Sequence, residues 1–284
     1  MNLDSIIKAL VIVIIVLLIC SLLLLGAWGV VALVTDSPLF GSSRPAQPDG
    51  PTEQTQSQTQ ADTNDLPVNT VPDNSAVLGE SADMGQEYID SIVFLGDSTT
   101  YHMINRAVLT GGKDTKQVWS GALGTLTLDG NIHKTTIVYP KTDTEMTIAE
   151  AAAQEKPKYM VITLGVNGVA YANETQFKAY YGKLITAIKA ASPNTKIILQ
   201  SIFPVSESYD QKGGKLCNAN IDIANGWIKQ LAAEQGCKYL DTQSVLKNNQ
   251  GTMIAAYDNG DGIHMTADAY RAVLQYIRTH GYTD

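Results

Sequence analysis

Four short stretches of this chain hold residue types that together could do nucleophilic chemistry. They are Gly96-Asp97-Ser98, Gly121-Ala122-Leu123-Gly124-Thr125, Gly165-Val166-Asn167-Gly168 and Asp261-Gly262-Ile263-His264. A serine hydroxyl is a poor nucleophile until a base removes its proton in the transition state. His264 could be that base, because imidazole as a side-chain type titrates near neutral pH. Asp261, three residues earlier, could hold the second ring nitrogen and stabilise the imidazolium. The negative oxygen of a tetrahedral intermediate needs preorganised donors. The backbone N–H groups of Ser98 and Gly124 and the side-chain amide of Asn167 could supply them, with Gly121 as the alternative glycine. A glycine at 124 would let the backbone approach a substrate closely.

Such residues need a scaffold, and the surrounding pattern provides one. Short apolar runs bounded by turn residues occur at Ser91–Leu95, Tyr159–Leu164, Lys196–Ile202 and Lys238–Leu240, with a weaker fifth at Gln117–Trp119. Between them lie amphipathic stretches such as Phe177, Tyr180, Leu184, Ile185, Ile188 and Tyr270, Val273, Leu274, Ile277. Strands alternating with helices imply a parallel sheet covered on both faces. Residues 88–284 are enough for one such α/β/α domain, whose core would need no disulfides. Ligands of open parallel sheets bind beyond the C-terminal ends of the strands. Three of the four stretches directly follow a strand, and the last precedes the final helix.

Taken singly, each stretch is more often structural than catalytic; Gly-Val-Asn-Gly alone reads as a turn. The ordered set is the signal. It resembles the SGNH (GDSL-type) hydrolase superfamily over about Tyr88 to Tyr282. Ser98 stands in the nucleophile block, with Thr99 where the family often has leucine. Gly124 stands in the glycine block, Asn167 in the asparagine block, and Asp261 with His264 in the terminal Asp-x-x-His block. The resemblance implies a three-layer, flavodoxin-like parallel sheet. It also implies Ser98 as nucleophile, His264 as base, Asp261 as orienter, and Ser98, Gly124 and Asn167 as oxyanion donors. Gly168 departs from the family pattern, which has aspartate there; this bears on substrate positioning more than on the reaction. An α/β-hydrolase is excluded as a rival, because its nucleophile elbow needs Gly-x-Ser-x-Gly and Thr100 occupies the second glycine position.

The N-terminal third reads differently. Ala9 to Val34 is a 26-residue apolar run whose one clearly polar side chain is Ser21. At about 1.5 Å per residue it would cross a ~30 Å hydrocarbon core. It is too long for a signal-peptide apolar region, and Ile19 before Cys20 argues against lipoprotein processing. Lys8 before the run and Asp36 after it favour residues 1–8 inside and the body outside. Residues 35–87 hold six of the ten prolines and a Gln/Thr/Ser stretch, and nine carboxylates stand there against Arg44 alone. That composition predicts a disordered tether. This segment accounts for the formal charge of −8. The domain beyond it is neutral, which excludes a nucleic-acid footprint.

Cys217 and Cys237 bracket a helical pattern (Ile221, Ala224, Trp227, Ile228, Leu231). A helix there separates them by roughly 24 Å, too far for a disulfide. No cofactor or metal-ligand spacing is evident. His102, one helical turn beyond Ser98, could line the pocket. Residues 125–148 interrupt the alternation and could form a hairpin over the site or a surface loop. The expected protein is a membrane-tethered extracellular serine esterase. Within the resembled family, short acyl groups on carbohydrate are common substrates. An inactive carbohydrate-binding module and an acyltransferase using the same residues are the alternatives.

Overall fold

The computed structural model describes residues 74–283; the apolar run at 9–34 and most of the expected tether lie outside them. Among the described residues no helix is long and apolar enough to cross a membrane.

Five strands, β1 (Ile92–Gly96), β2 (Val118–Trp119), β5 (Tyr159–Thr163), β6 (Lys196–Gln200) and β7 (Lys238–Leu240), form a parallel sheet in the order β2-β1-β5-β6-β7. Each is buried on both faces, so the strands read as continuous apolar runs and not as alternating ones. Burial then divides by strand parity. Val93, Leu95, Met160, Ile162, Ile197 and Leu199 point to one side, into a core completed by three helices. These are α3 (Ile148–Glu155), α4 (Glu174–Ala191) and α6 (Asn218–Glu234). Ile92, Phe94, Val161, Ile198 and Leu240 point to the other side. There they meet α1 (Gly85–Asp90), α2 (Ser98–Asn105) and α7 (Ala267–Thr279). A sheet with helices on both faces is the three-layer architecture the alternation of strands and helices predicts. Its order reverses between β1 and β5. Those are the strands that lead into Ser98 and Asn167, so the site lies at the switch point where such sheets bind ligands.

The segment at 125–148 does contain a hairpin, β3 (Thr136–Tyr139) with β4 (Thr144–Thr147). It lies against the outer strand instead of covering the site. The Val138 N–H donates to the Ser120 carbonyl at 3.2 Å, and Tyr139 packs edge-on against Trp119 with ring centroids 5.8 Å apart. It thus shields the short edge strand β2 from further pairing. Cys217 and Cys237 are both free, and α6 lies between them.

One boundary differs from the sequence reading. The expected tether ran to residue 87, but residues 74–87 are part of the fold. The Leu78 N–H donates to the Tyr239 carbonyl at 2.8 Å, Ala76 and Leu78 are each 6% exposed, and Arg278 makes two hydrogen bonds to Asp83. The acidic, proline-rich composition of 35–87 as a whole masked this short apolar stretch, Ala76-Val77-Leu78. A chain starting at Tyr88 should therefore be less stable than one starting near residue 70. Losing the buried Leu78 side chain alone removes about 1.5–3 kcal/mol of burial, and ~2–4 °C accompanies each kcal/mol at this size. Calorimetry should show a Tm lower by roughly 3–12 °C; equal melting of the two chains would refute the boundary.

Candidate active site

Ser98 is the first residue of α2, reached by a sharp turn at the end of β1. Asp97 caps that helix: its carboxylate accepts from the Thr99 N–H at 3.0 Å and the Thr99 hydroxyl at 2.7 Å. Asp97 is 1% exposed. Burial is the chief influence on its carboxyl and pushes it up to about 6, against the pull of bonds from Thr99, Gly165 and Val166. The two backbone bonds lash the serine turn to the loop after β5. Tyr270 on α7 adds a hydrogen bond to the Thr99 carbonyl at 2.5 Å. Asp97 and Tyr270 were not singled out as site residues by sequence reasoning. The Asp-x-Thr spacing of a helix N-cap would have revealed the first.

His264 meets Ser98 from the opposite end of the chain. Its Nε2 lies 2.9 Å from Ser98 Oγ, and its Nδ1 lies 2.7 Å from Asp261 Oδ2. Asp261 Oδ1 accepts from the N–H groups of Ile263 and His264, both at 2.8 Å. Burial is the largest single influence on Asp261 and opposes ionisation. The bonds from the His264 backbone and ring and from Ile263 together outweigh it and bring the carboxyl to about 2. Asp261 is therefore a carboxylate across the physiological range. The loop that carries both residues is braced at several points. Asp258 accepts from the Gly260 and Gly262 N–H groups, Asn259 N–H donates to the His264 carbonyl, and Arg106 Nε donates to the Met265 carbonyl. Gly262 has φ +86°, and a Cβ there would stand 2.6 Å from Tyr209 Cβ, so no larger residue fits this turn.

His102 stacks on His264, with ring centroids 4.1 Å apart and planes 14° from parallel. Desolvation, then repulsion from His264 and Arg106, hold the His102 imidazole below its ordinary pKa. A ring biased towards neutrality can serve as an apolar wall behind the His264 imidazole. His133 and His280 take no part in these contacts.

The expected oxyanion donors are differently placed. The Ser98 N–H, at the start of a helix, has no intrahelical partner and donates to no described residue. The Gly124 N–H instead donates to the Gly121 carbonyl at 2.8 Å. Asn167 Nδ2 reaches Thr125 Oγ1 and the Leu126 carbonyl, both at 3.1 Å. Of the three donors read from the sequence, the Ser98 N–H alone is without a partner among the described residues. At the other two, Gly121 of the same loop satisfies the Gly124 N–H, and Thr125 and Leu126 satisfy the Asn167 amide across the two loops. Gly124 is still sterically required: at φ +69°, its Cβ would lie 2.7 Å from the Tyr101 ring. Gly168 takes the place of the family's aspartate beside Leu128, whose Cβ would be 3.4 Å from any Cβ at 168.

A flavodoxin-like sheet with a serine, a histidine and an aspartate at its switch point defines an SGNH-type esterase fold. Residues 94–272 match the model of the GDSL-like lipase/acylhydrolase family, and the chain belongs to that family. It is a hydrolase of ester bonds. Among solved structures, it is similar to a GDSL-like lipase from Bacteroides thetaiotaomicron, at 16% identity and TM-score 0.45 over 69% of this chain and 89% of that one. It is also similar to an acetylxylan esterase from Geobacillus stearothermophilus, at 18% identity and TM-score 0.40 over 73% and 96%. A third is a carbohydrate esterase family 3 protein from Talaromyces cellulolyticus, at 18% and 0.43 over 66% and 93%. No curated protein matches the chain.

Proposed function

We propose that this protein hydrolyses short-chain acyl esters, O-acetyl groups on glycans foremost, through a Ser98–His264–Asp261 triad. The observation that carries this reading is the continuous hydrogen-bonded chain from Asp261 through His264 to Ser98 Oγ. His264 Nε2 takes the Ser98 proton as Oγ bonds to the ester carbonyl carbon. The carbonyl π-bond opens, and the resulting oxyanion is received by the Ser98 N–H. Gly124 N–H and Asn167 Nδ2 join it once they exchange their present partners for the substrate oxygen. Collapse breaks the ester C–O bond, and the imidazolium returns the proton to the departing alkoxide. Water then repeats the cycle on the acyl-serine, with His264 again as base. Part of the triad lies open to solvent: the Asp261 side chain is 46% exposed and that of His264 21%. Water therefore reaches the acyl-enzyme readily, which favours hydrolysis over acyl transfer.

The 9–34 run, as a single-pass anchor with the catalytic domain outside, would hold the enzyme at the surface where such glycans lie. Hydrolysis of p-nitrophenyl esters from acetate to decanoate, alongside release of acetate from acetylated xylan, tests the reading. Turnover should fall steeply with chain length, and acetate should appear from the polymer. Failure on every ester would leave the binding-module alternative standing. The anchor is tested separately, by fractionating cells making the full chain and a chain starting at residue 70. Only the former should sediment with membranes and resist extraction by high salt.

Asn167 carries a further expectation. Removing one oxyanion donor costs about 10²–10³ in kcat. Asn167→Ala should fall in that range with little change in KM, since the bond strengthens mainly in the transition state. Activity within a few fold of wild type would make Asn167 a loop tie alone.

A further inference from the structure

A groove of about 400 Å³ runs away from the triad on the side of the asparagine loop. Asn167 and Ile263 line it, the latter being the residue before His264, so the groove starts beside the proposed reacting centre. Beyond them it is walled by Tyr171 and Tyr209 and rimmed by Lys212 and Lys215. Three features set it apart from ordinary surface. Tyr171 is 85% exposed, so most of its ring area is open to a ligand in the groove. Lys212 Nζ sits 4.5 Å from the centre of the Tyr209 ring, which holds one ammonium at the rim. No carboxylate lines the groove, and neither lysine forms an ion pair among the described residues. In a domain with a slight excess of carboxylates, that is a local cationic site.

We propose that this groove binds the polymer part of the substrate, an O-acylated glycan bearing anionic groups, carboxylate or phosphate, near the acylated sugar. The proposal rests on the esterase reading above and names its substrate class. Tyrosine faces offer flat apolar area of the kind that stacks on the C–H face of a sugar ring, while their hydroxyls stay wet. Two ammonium groups at one rim supply the complement to a charge repeated along the chain. A long alkyl chain is the poorer match, because burying it here would desolvate both lysines without pairing them. The groove is also mechanically continuous with the catalytic loop. The Ser206 N–H donates to the Gly262 carbonyl at 2.9 Å, and Tyr209 packs on Gly262. Tyr209 belongs to α5 (Glu207–Asp210), so a glycan held there is held at a fixed distance from His264.

The test uses the full chain in detergent with two readouts. The first is binding, by titration calorimetry, of unacylated oligogalacturonate, a phosphate-bearing glycan and xylo-oligosaccharide. Wild type should bind one or both anionic glycans at least about tenfold more tightly than the neutral one, and the tighter of the two identifies the anion. K212A/K215A should lose that margin, and Tyr171→Ala should weaken all three. The second is kcat/KM on acetylated forms of the same polymers, with p-nitrophenyl acetate as the small substrate. K212A/K215A should raise KM about tenfold on the anionic polymer and leave p-nitrophenyl acetate unchanged. Equal wild-type binding of neutral and anionic glycans, or a preference that survives in K212A/K215A, overturns the proposal. If wild type fails on every ester, the esterase reading falls, and the binding margin still decides the groove.

Discussion

Ser98→Ala should reduce kcat on p-nitrophenyl acetate by about 10⁵–10⁶, and His264→Ala should do nearly the same. The reason is shared work. Without Oγ there is nothing to acylate, and without the imidazole Oγ keeps its proton and barely attacks. The Ser98→Ala/His264→Ala double variant should then be hardly slower than either single one, because the second loss removes a group that has already lost its role. Neither change should unfold the domain. Ser98 and His264 are held by backbone bonds that both variants keep: the N-cap of Asp97 on one side, and the Asp258 and Asn259 bonds on the other. A fluorophosphonate probe gives an independent readout, since it should label wild type at Ser98 and leave Ser98→Ala unlabelled. Additive losses in the double variant, or labelling of Ser98→Ala, would falsify the triad.

The parts of this molecule that were legible in the sequence share a physical property: their signal is local. Strands β1, β5 and β6 are buried on both faces, so Ile92-Val93-Phe94-Leu95 and its counterparts stand out as apolar runs. Helix α6 declares itself through Ile221, Ala224, Ile228 and Leu231, which are all buried. The hydrogen-bonded set of Ser98, His264 and Asp261 is legible because Asp261 and His264 share one loop and Ser98 follows a strand. What was not legible depends on pairings across the fold. Ala76-Val77-Leu78 is too short to read as a strand. It is held by the Tyr239 carbonyl, far along the chain, as the nearby Asp83 is held by Arg278. The present partners of the Asn167 amide are likewise set by the approach of two loops, at Thr125 and Leu126, on which motif spacing is silent. The groove combines Tyr171 of one loop with Tyr209 of α5 and Lys212 just beyond it, segments that only the fold brings side by side.

Asp261→Asn should lower kcat by about 10³–10⁴ while leaving KM near its wild-type value, the size of effect a triad aspartate shows when its charge alone is removed. The argument is one of tautomers. With a carboxylate at 261, His264 Nδ1 must carry a proton to donate, which leaves Nε2 as the acceptor facing Ser98 at 2.9 Å. An asparagine can keep Oδ1 as acceptor for the Ile263 and His264 N–H groups, which directs its NH₂ at Nδ1. The ring proton then moves to Nε2, and the base points a donor at the hydroxyl it should deprotonate. Charge adds to this, because Asp261 with its carboxyl at about 2 is ionised throughout the working range and stabilises the imidazolium. That depressed value fixes the sign of its linkage to stability. The folded-state pKa lies below the ordinary 3.8, so the contribution is fully present above about pH 4 and is lost as pH falls through 2. Above pH 5, therefore, Asp261→Asn should show a loss of activity that does not vary with protonation of residue 261, whereas wild type and variant should converge in stability near pH 2. A variant with wild-type kcat at pH 7 would mean that Asp261 only shapes the loop, and that the imidazole finds its orientation from the stacked ring of His102.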